Sequence, residues 1–360
     1  MFNSKYFKLI GSSVVLTLTL AACSSTVKNN TQAPKISEQN KAETKVEQKV
    51  PAYIYTANES GSISKIDVAT NKVVETFKDE GSPHNVQVSP DGKVFAYTSA
   101  VKMAKGQTEH GAMSMNGSAV FYDVETGKQI RKVEVGKHPA HIVFTEDGKY
   151  AIVTNNEDNN VSIIDAKTYK LINNVIVGKG PHGFRISADS QYAYIANMGE
   201  DTVSIVDITN IKEVKKIKVG KTPVTTGLTS DGKTLVATVN AENYLAVVDL
   251  STDKIEKIAV GVGPAQVYLS TDDKYAFVAN QGTEKDPSNT ITKVNLTTKQ
   301  VVATIEAGKG AHGVVVSPDN KFVYVTNMYE ATVSVIDNET NKVVATIPVD
   351  EEPNGISFKK

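Results

Sequence analysis

Ala311-His312-Gly313-Val314-Val315-Val316-Ser317, Pro318-Asp319-Asn320-Lys321 and Phe322-Val323-Tyr324-Val325-Thr326-Asn327 read, in succession, as a strand, a tight turn and a returning strand. Valine, tyrosine and threonine suit a pleated, packed surface, and Pro-Asp-Asn supplies the turn. Thr332 to Asp337 and Lys342 to Val349 extend the pattern, so one unit holds four strands, A to D. Apolar residues at helical spacing are absent throughout.

The unit recurs along the chain. A Gly-x-x-Pro type of turn enters strand A at Pro83, Pro139, Pro181, Pro223, Pro264, Ala311 (in the Pro place) and Pro353, in steps of 56, 42, 42, 41, 47 and 42 residues. Two more markers keep the same beat. One closes strand B at Asn58, Ala100, Asn155, Asn197, Asn240, Asn280 and Asn327; the other closes strand C at Asp67, Asp123, Asp165, Asp207, Asp249, Asn295 and Asp337. Seven copies of a four-strand unit near this length predict an all-β fold, a seven-bladed β-propeller with four antiparallel strands per blade. The chain enters on a B strand (Tyr53 to Asn58) and leaves on an A strand (Asn354 to Phe358). One blade is therefore expected to be closed by N-terminal strands B to D and C-terminal strand A, which removes the open sheet edges.

Tyr324-Val325-Thr326-Asn327, Tyr194-Ile195-Ala196-Asn197 and Phe277-Val278-Ala279-Asn280, with the turns Pro90-Asp91-Gly92-Lys93, Asp147-Gly148-Lys149 and Asp231-Gly232-Lys233, resemble the YVTN family of seven-bladed propellers. The resemblance covers about residues 53 to 358. It implies the fold and leaves function open, because one propeller architecture hosts many activities. The absence of Trp argues against a WD-repeat propeller.

The 360 residues are 40% hydrophobic and 22% charged, with 39 Lys plus Arg against 40 Asp plus Glu and a single Cys. That balance provides no electrostatic reason to expect nucleic acid. One Cys cannot form an internal disulfide, a Cys-type zinc site or a CxxCH haem attachment. Cys23 instead follows a basic start (Lys5, Lys8), an apolar run from Val14 to Leu20, and Ala21-Ala22. This is the layout of a secretory signal, and its apolar run is too short for a permanent membrane span. Leu20-Ala21-Ala22-Cys23 resembles the lipobox of bacterial lipoproteins, which implies a signal peptide over 1–22 and an acylated Cys23 on the outer face of the cell membrane. Residues 23–50, poor in large apolar side chains and with no aromatic residue, are expected to form a solvated tether, and 51–360 the propeller.

Five of the six histidines fall at the entry to strand A: His84, His182 and His312 at its start, His141 one residue further in, and His138 in the preceding turn. The long step of 56 contains an insertion between strands B and C of blade 2, from Val101 to Asn116, with His110, Met103, Met113 and Met115. Met198 and Met328 follow strand B in blades 4 and 7. D-to-A and B-to-C turns share one face of a propeller, so these side chains are expected around one mouth of the central channel. Imidazole and thioether favour copper, Cu(I) above all. The set His84, His182, His312, His141, His110, Met103, Met113, Met115, Met198 and Met328 is therefore a candidate copper site. Pro-His elements of this kind also resemble those of the nitrous oxide reductase propeller, but Asn354, Ala140, Val224 and Ala265 interrupt a complete histidine hub. The histidines could equally be family consensus that hydrogen-bonds backbone, and the methionines a contact for a partner.

Three functions remain open on these residues. The first is a lipid-anchored, monomeric binding propeller that captures a metal ion. The second is a surface adhesion scaffold for a protein or glycan. The third resembles virginiamycin B lyase or the lactonases, although Glu109 and Glu200 are the nearest acids for an oxygen-ligand ion. A d-type haem, as in haem nitrite reductase, needs several arginines for its carboxylates, and the chain has only Arg131 and Arg185. The shorter insertion, Gly282 to Ser288, is expected to be a polar loop.

Overall fold

The structure, a computed structural model, describes residues 52–102 and 115–359. Cys23, the tether, Met103, Glu109, His110 and Met113 lie outside the described residues. No helix among the described residues is long and apolar enough to cross a membrane. Twenty-eight strands, β1 to β28 in chain order, form seven four-stranded antiparallel sheets. Blade 1 joins both ends of the chain: β28 (Pro353–Lys359) pairs with β1 (Tyr53–Asn58), followed by β2 (Ser62–Asp67) and β3 (Lys72–Lys78). The expected closure is thus present. The innermost strands of the other blades are β4 (Ser82–Val88), β8 (Pro139–Phe144), β12 (Pro181–Ile186), β16 (Pro223–Leu228), β20 (Pro264–Leu269) and β24 (Ala311–Val316). Each touches the next around the ring.

Seven apolar clusters hold the ring together, most of them wedged between neighbouring blades. Ile152 and Ile163 of blade 3 meet Phe184 and Ile195 of blade 4, all essentially inaccessible to solvent. Full burial of each such side chain contributes about 1.5–3 kcal/mol. Between blades 1 and 2, Tyr55 stacks on Phe95 (centroids 4.6 Å apart) and Phe95 on Tyr122 (5.1 Å). Outermost strands such as β3 bury little, which leaves their lysines in water.

The marker residues have separate physical roles. Asp67 at the end of β2 accepts from the Thr70 amide (2.8 Å) in an Asx turn, and Asp123, Asp165 and Asp337 repeat the contact with Thr126, Thr168 and Thr340. The Asn closing strand B is buried. Asn327 Nδ2 donates to the Thr332 and Ser334 hydroxyls, and its Oδ1 accepts from the Gly308 amide.

In blade 2 the second strand ends on Ala100 as expected, with Ser99 facing Ser118 on the third strand, whereas in blade 5 it ends on Val239, one residue before Asn240, and Val239 faces Tyr244. Ser99 Oγ donates to Asp79 (2.6 Å), and the Tyr244 hydroxyl reaches the Val219 carbonyl (2.7 Å) where an Asn amide would otherwise act. The Gly282–Ser288 insertion also differs from a plain loop. It lengthens a hairpin, in which Gly282 of β21 (Tyr275–Gly282) pairs with Pro287 of β22 (Pro287–Asn295).

Candidate metal centre

Each innermost strand begins just after its turn, and its pairing slips within the next two residues: between Pro83 and Val86, Pro139 and Ile142, Pro181 and Phe184, and Ala311 and Val314. These bulges carry the histidines. His84, His182 and His312 directly follow the turn Pro or Ala, within strands that begin one or two residues before them rather than at the histidines themselves; His141 is one place further on. In a regular strand the two places face opposite sides of the sheet, but a bulge leaves extra residues unpaired and re-aims them.

Buried threonines of the second strands pin the bulges and tie each blade to the next. Thr154 Oγ1 accepts from the His141 amide (2.9 Å) and donates to the His182 carbonyl (2.8 Å). Thr98 does the same for the Asn85 amide and the Ala140 carbonyl, and Thr326 for the Gly313 amide and the Asn354 carbonyl. Gly183 must lack a side chain, because a Cβ there would lie 2.2 Å from Thr225 Oγ1.

The consequence is a three-imidazole cluster on three consecutive blades. One nitrogen each of His84, His141 and His182 lies within 4.8 Å of the others. Ring centroids are 5.8 Å apart for His84 and His141, 4.9 Å for His141 and His182, and 5.1 Å for His84 and His182. Hydrogen bonds orient two of the rings. His84 Nδ1 lies 2.6 Å from Glu59 Oε1, and His182 Nδ1 3.1 Å from the Val224 carbonyl oxygen. Both partners accept, so both Nδ1 atoms carry the proton. The Nε2 atoms of His84 and His182 then stand 3.1 Å from each other, within hydrogen-bonding distance. Two nitrogens bound to one tetrahedral ion at about 2.0 Å each stand about 3.3 Å apart, so the pair is already spaced as ligands. His141, 1% exposed, has no partner for either ring nitrogen. It offers a third ring nitrogen to the pair.

Burial holds four of the five histidines around the mouth, His138, His141, His182 and His312, below their ordinary pKa. Burial pushes His141 and His182 well below the usual imidazole range, and the positive potential of neighbouring histidines adds to it. His312 is pushed down to about 4 by burial and then by His84, and burial also lowers His138. Burial would raise Glu59, but its hydrogen bond to His84, the potential of His84 and His312, and the Asn354 amide (2.7 Å) together hold it down to about 2. An ionised Glu59 bonded to His84 Nδ1 is the outer-shell arrangement that fixes tautomer and ring orientation for a ligating His.

The predicted site residues divide. His84, His141 and His182 come together, with His312 buried close enough to feel His84. Met115 and Met198 are exposed, and the Met328 sulfur accepts from Gln281 Nε2 (3.2 Å). Glu200 is engaged by Thr202, the Lys179 amide and Lys216, which makes it a structural acid of its turn. Glu59 and the threonines were not anticipated. Glu59 follows Asn58 as Met198 follows Asn197 and Met328 follows Asn327, so the repeat could have singled it out.

Comparison with known proteins agrees with this architecture. Residues 112–287 match the family model described as YNCE-like beta-propeller, and residues 260–355 match that of the Cytochrome D1 heme domain. Among solved structures, hydrazine synthase of Kuenenia stuttgartiensis is similar with a TM-score of 0.66 and 21% identity over 76% of this chain and 89% of that one. A protein of unknown function from Desulfotomaculum acetoxidans gives 0.71 and 14% over 85% and 98%. The dihydro-heme d1 dehydrogenase NirN in complex with DHE gives 0.60 and 14% over 85% and 74%. At these identities the likeness is one of fold. The chain is a seven-bladed β-propeller whose sequence matches the YNCE-like propeller family across its middle blades.

Proposed function

We propose that the protein is a binding propeller, held at the outer face of a membrane by a lipid on Cys23, whose channel mouth takes up a metal ion on His84, His141 and His182. The observation that carries this reading is the convergence of three imidazole nitrogens within 4.8 Å, one of them on a buried ring with no other partner. Copper remains the preferred ion, on grounds that differ from those of the sequence. The donors are imidazoles of a preformed site, and divalent copper heads the affinity order for nitrogen ligands. Zinc is the natural competitor at the same donors. Binding fits the cluster better than acid–base turnover, because buried imidazoles with strongly lowered pKa are weak bases and Glu59 is committed to His84.

The cytochrome D1 match and the NirN likeness raise haem as an occupant, and the channel mouth does not fit it. His84, His141 and His182 converge from three consecutive blades with centroids about 5 Å apart, the spacing of ligands to one small ion. Arg131 stands on β7 (Gln129–Lys137), an outermost strand, and Arg185 at the end of β12 remote from its turn, so neither can serve haem carboxylates at the histidines.

Titration of the full chain with Cu(I), Cu(II) and Zn(II) against a competing chelator tests the reading. One ion should bind per chain, and the double variant His141→Ala, His182→Ala should lose at least about a hundredfold in affinity. No uptake, or uptake unchanged in that variant, overturns it.

A further inference from the structure

The other end of the channel holds a second polar site that the histidines do not reach. Four residues beyond the turn position, the innermost strands place Gln87, Arg185, Gly227 and Tyr268. A cavity of about 180 Å³ lies there, lined by Gln87, Arg185 and Tyr268 and by Gln266 from one layer up. It adjoins a second cavity of about 340 Å³ along Arg185, Gly227 and Tyr268. Gly227 stands on the blade between those of Arg185 and Tyr268, where a Cβ would lie 2.8 Å from Val236 Cγ2, so the second cavity is walled there by backbone.

The Arg185 guanidinium lies over the Tyr268 ring, 5.2 Å from its centroid, and spends one donor on the Phe184 carbonyl (2.9 Å). None of the ion pairs among the described residues includes it. A guanidinium cannot shed its proton, so half-buried Arg185 presents a lasting positive charge to a cavity open at one side, where an anion is its natural complement. Gln266 is 3% exposed, and its Nε2 has no acceptor. A buried amide donor without a partner is rare in folded proteins. The guanidinium of Arg185, without an ion-pair partner, and the Gln266 side chain, whose amide nitrogen has no acceptor, thus line one cavity.

The geometry also selects the anion. The planar fork of Arg matches the two oxygens of a carboxylate. Glu146 lines the same cavity from its exposed rim and offsets the single positive charge, which disfavours a dianion. We propose that this end of the channel binds a small monocarboxylate, gripped by the Arg185 guanidinium and the Gln266 amide.

Calorimetric titration of the full chain with sodium acetate, sodium lactate and sodium phosphate, at constant ionic strength in chloride, tests this. Acetate or lactate should bind saturably at one site and phosphate at least about tenfold more weakly. Arg185→Met should abolish carboxylate binding, Arg185→Lys should weaken it about tenfold through loss of the fork, and Gln266→Leu should weaken it as well. His141→Ala should leave it unchanged, which separates this site from the metal centre. The absence of saturable carboxylate binding by the wild-type chain overturns the proposal whatever the variants do. So does tighter binding of phosphate, or undiminished binding by a folded Arg185 or Gln266 variant.

Discussion

Acidification from pH 7 to 5.5 should weaken the propeller measurably, because burial holds His138, His141, His182 and His312 below their ordinary pKa. His312 has a pKa of about 4 in the folded chain, set first by burial and then by His84, against 6.5 in the unfolded chain. Between those values the unfolded chain takes up a proton that the folded chain refuses, so stability falls as the pH falls. Integrated from pH 7 to 5.5, this single residue costs about 1.2 kcal/mol. His138, His141 and His182 are lowered by burial and act in the same direction. Glu59 is nearly silent in this window: its stabilising charge is fully present above pH 4.5 and is lost only as the pH falls toward about 2. Urea denaturation at both pH values, on the wild type and on His312→Asn, reads the effect. The wild type should lose more than 1 kcal/mol, and the variant should lose about 1.2 kcal/mol less than the wild type. Equal or greater stability of the wild type at pH 5.5 would refute the reasoning.

Other perturbations bear on the same architecture. Thr154→Val keeps the shape but strands the His141 amide and the His182 carbonyl, which should cost about 2–3 kcal/mol in thermal or urea unfolding and weaken copper uptake. Asn327→Leu removes three buried hydrogen-bond partners in blade 7 and should cost about 3 kcal/mol, with copper affinity in the surviving folded fraction little changed. The double variant Met198→Leu, Met328→Leu should leave copper affinity within about threefold, since thioethers are absent from the three-imidazole set. A loss of a hundredfold in chelator competition would instead make those sulfurs ligands.

The fold was legible because each blade repeats the same physical devices. The turn proline, the Asx turn at Asp67 and its equivalents, and the buried Asn of Tyr-Val-Thr-Asn each satisfy backbone or hydroxyl groups that every blade must satisfy. Where another chemistry takes over, the marker Asn gives way: Ser99 bonds Asp79 in blade 2, and in blade 5 the strand ends one residue early at Val239, where Tyr244 acts instead. The site was legible only in outline. Strict alternation would set His84 and His141 on opposite faces of their strands, and only the bulge behind each turn brings both to one point. Glu59 carries no motif of its own, since one acid in a turn is unremarkable until folding sets it 2.6 Å from His84. The methionines drew attention by residue type; Met115 and Met198 are exposed, and the Met328 sulfur accepts from Gln281.

Blade 1 gives the centre an order of assembly. Chains emerge from the ribosome N-terminus first, so Glu59 is made near the start, whereas Asn354, whose amide bonds the same carboxylate, arrives only with the last strand. Until β28 docks against β1, Glu59 lacks that amide and His312 has no completed channel to enclose it. An ion met early by the nascent polypeptide would therefore find a looser, wetter group of imidazoles than the finished ring presents. On the proposed reading, the finished site forms when β28 docks against β1, and that docking sets the timing of ion loading.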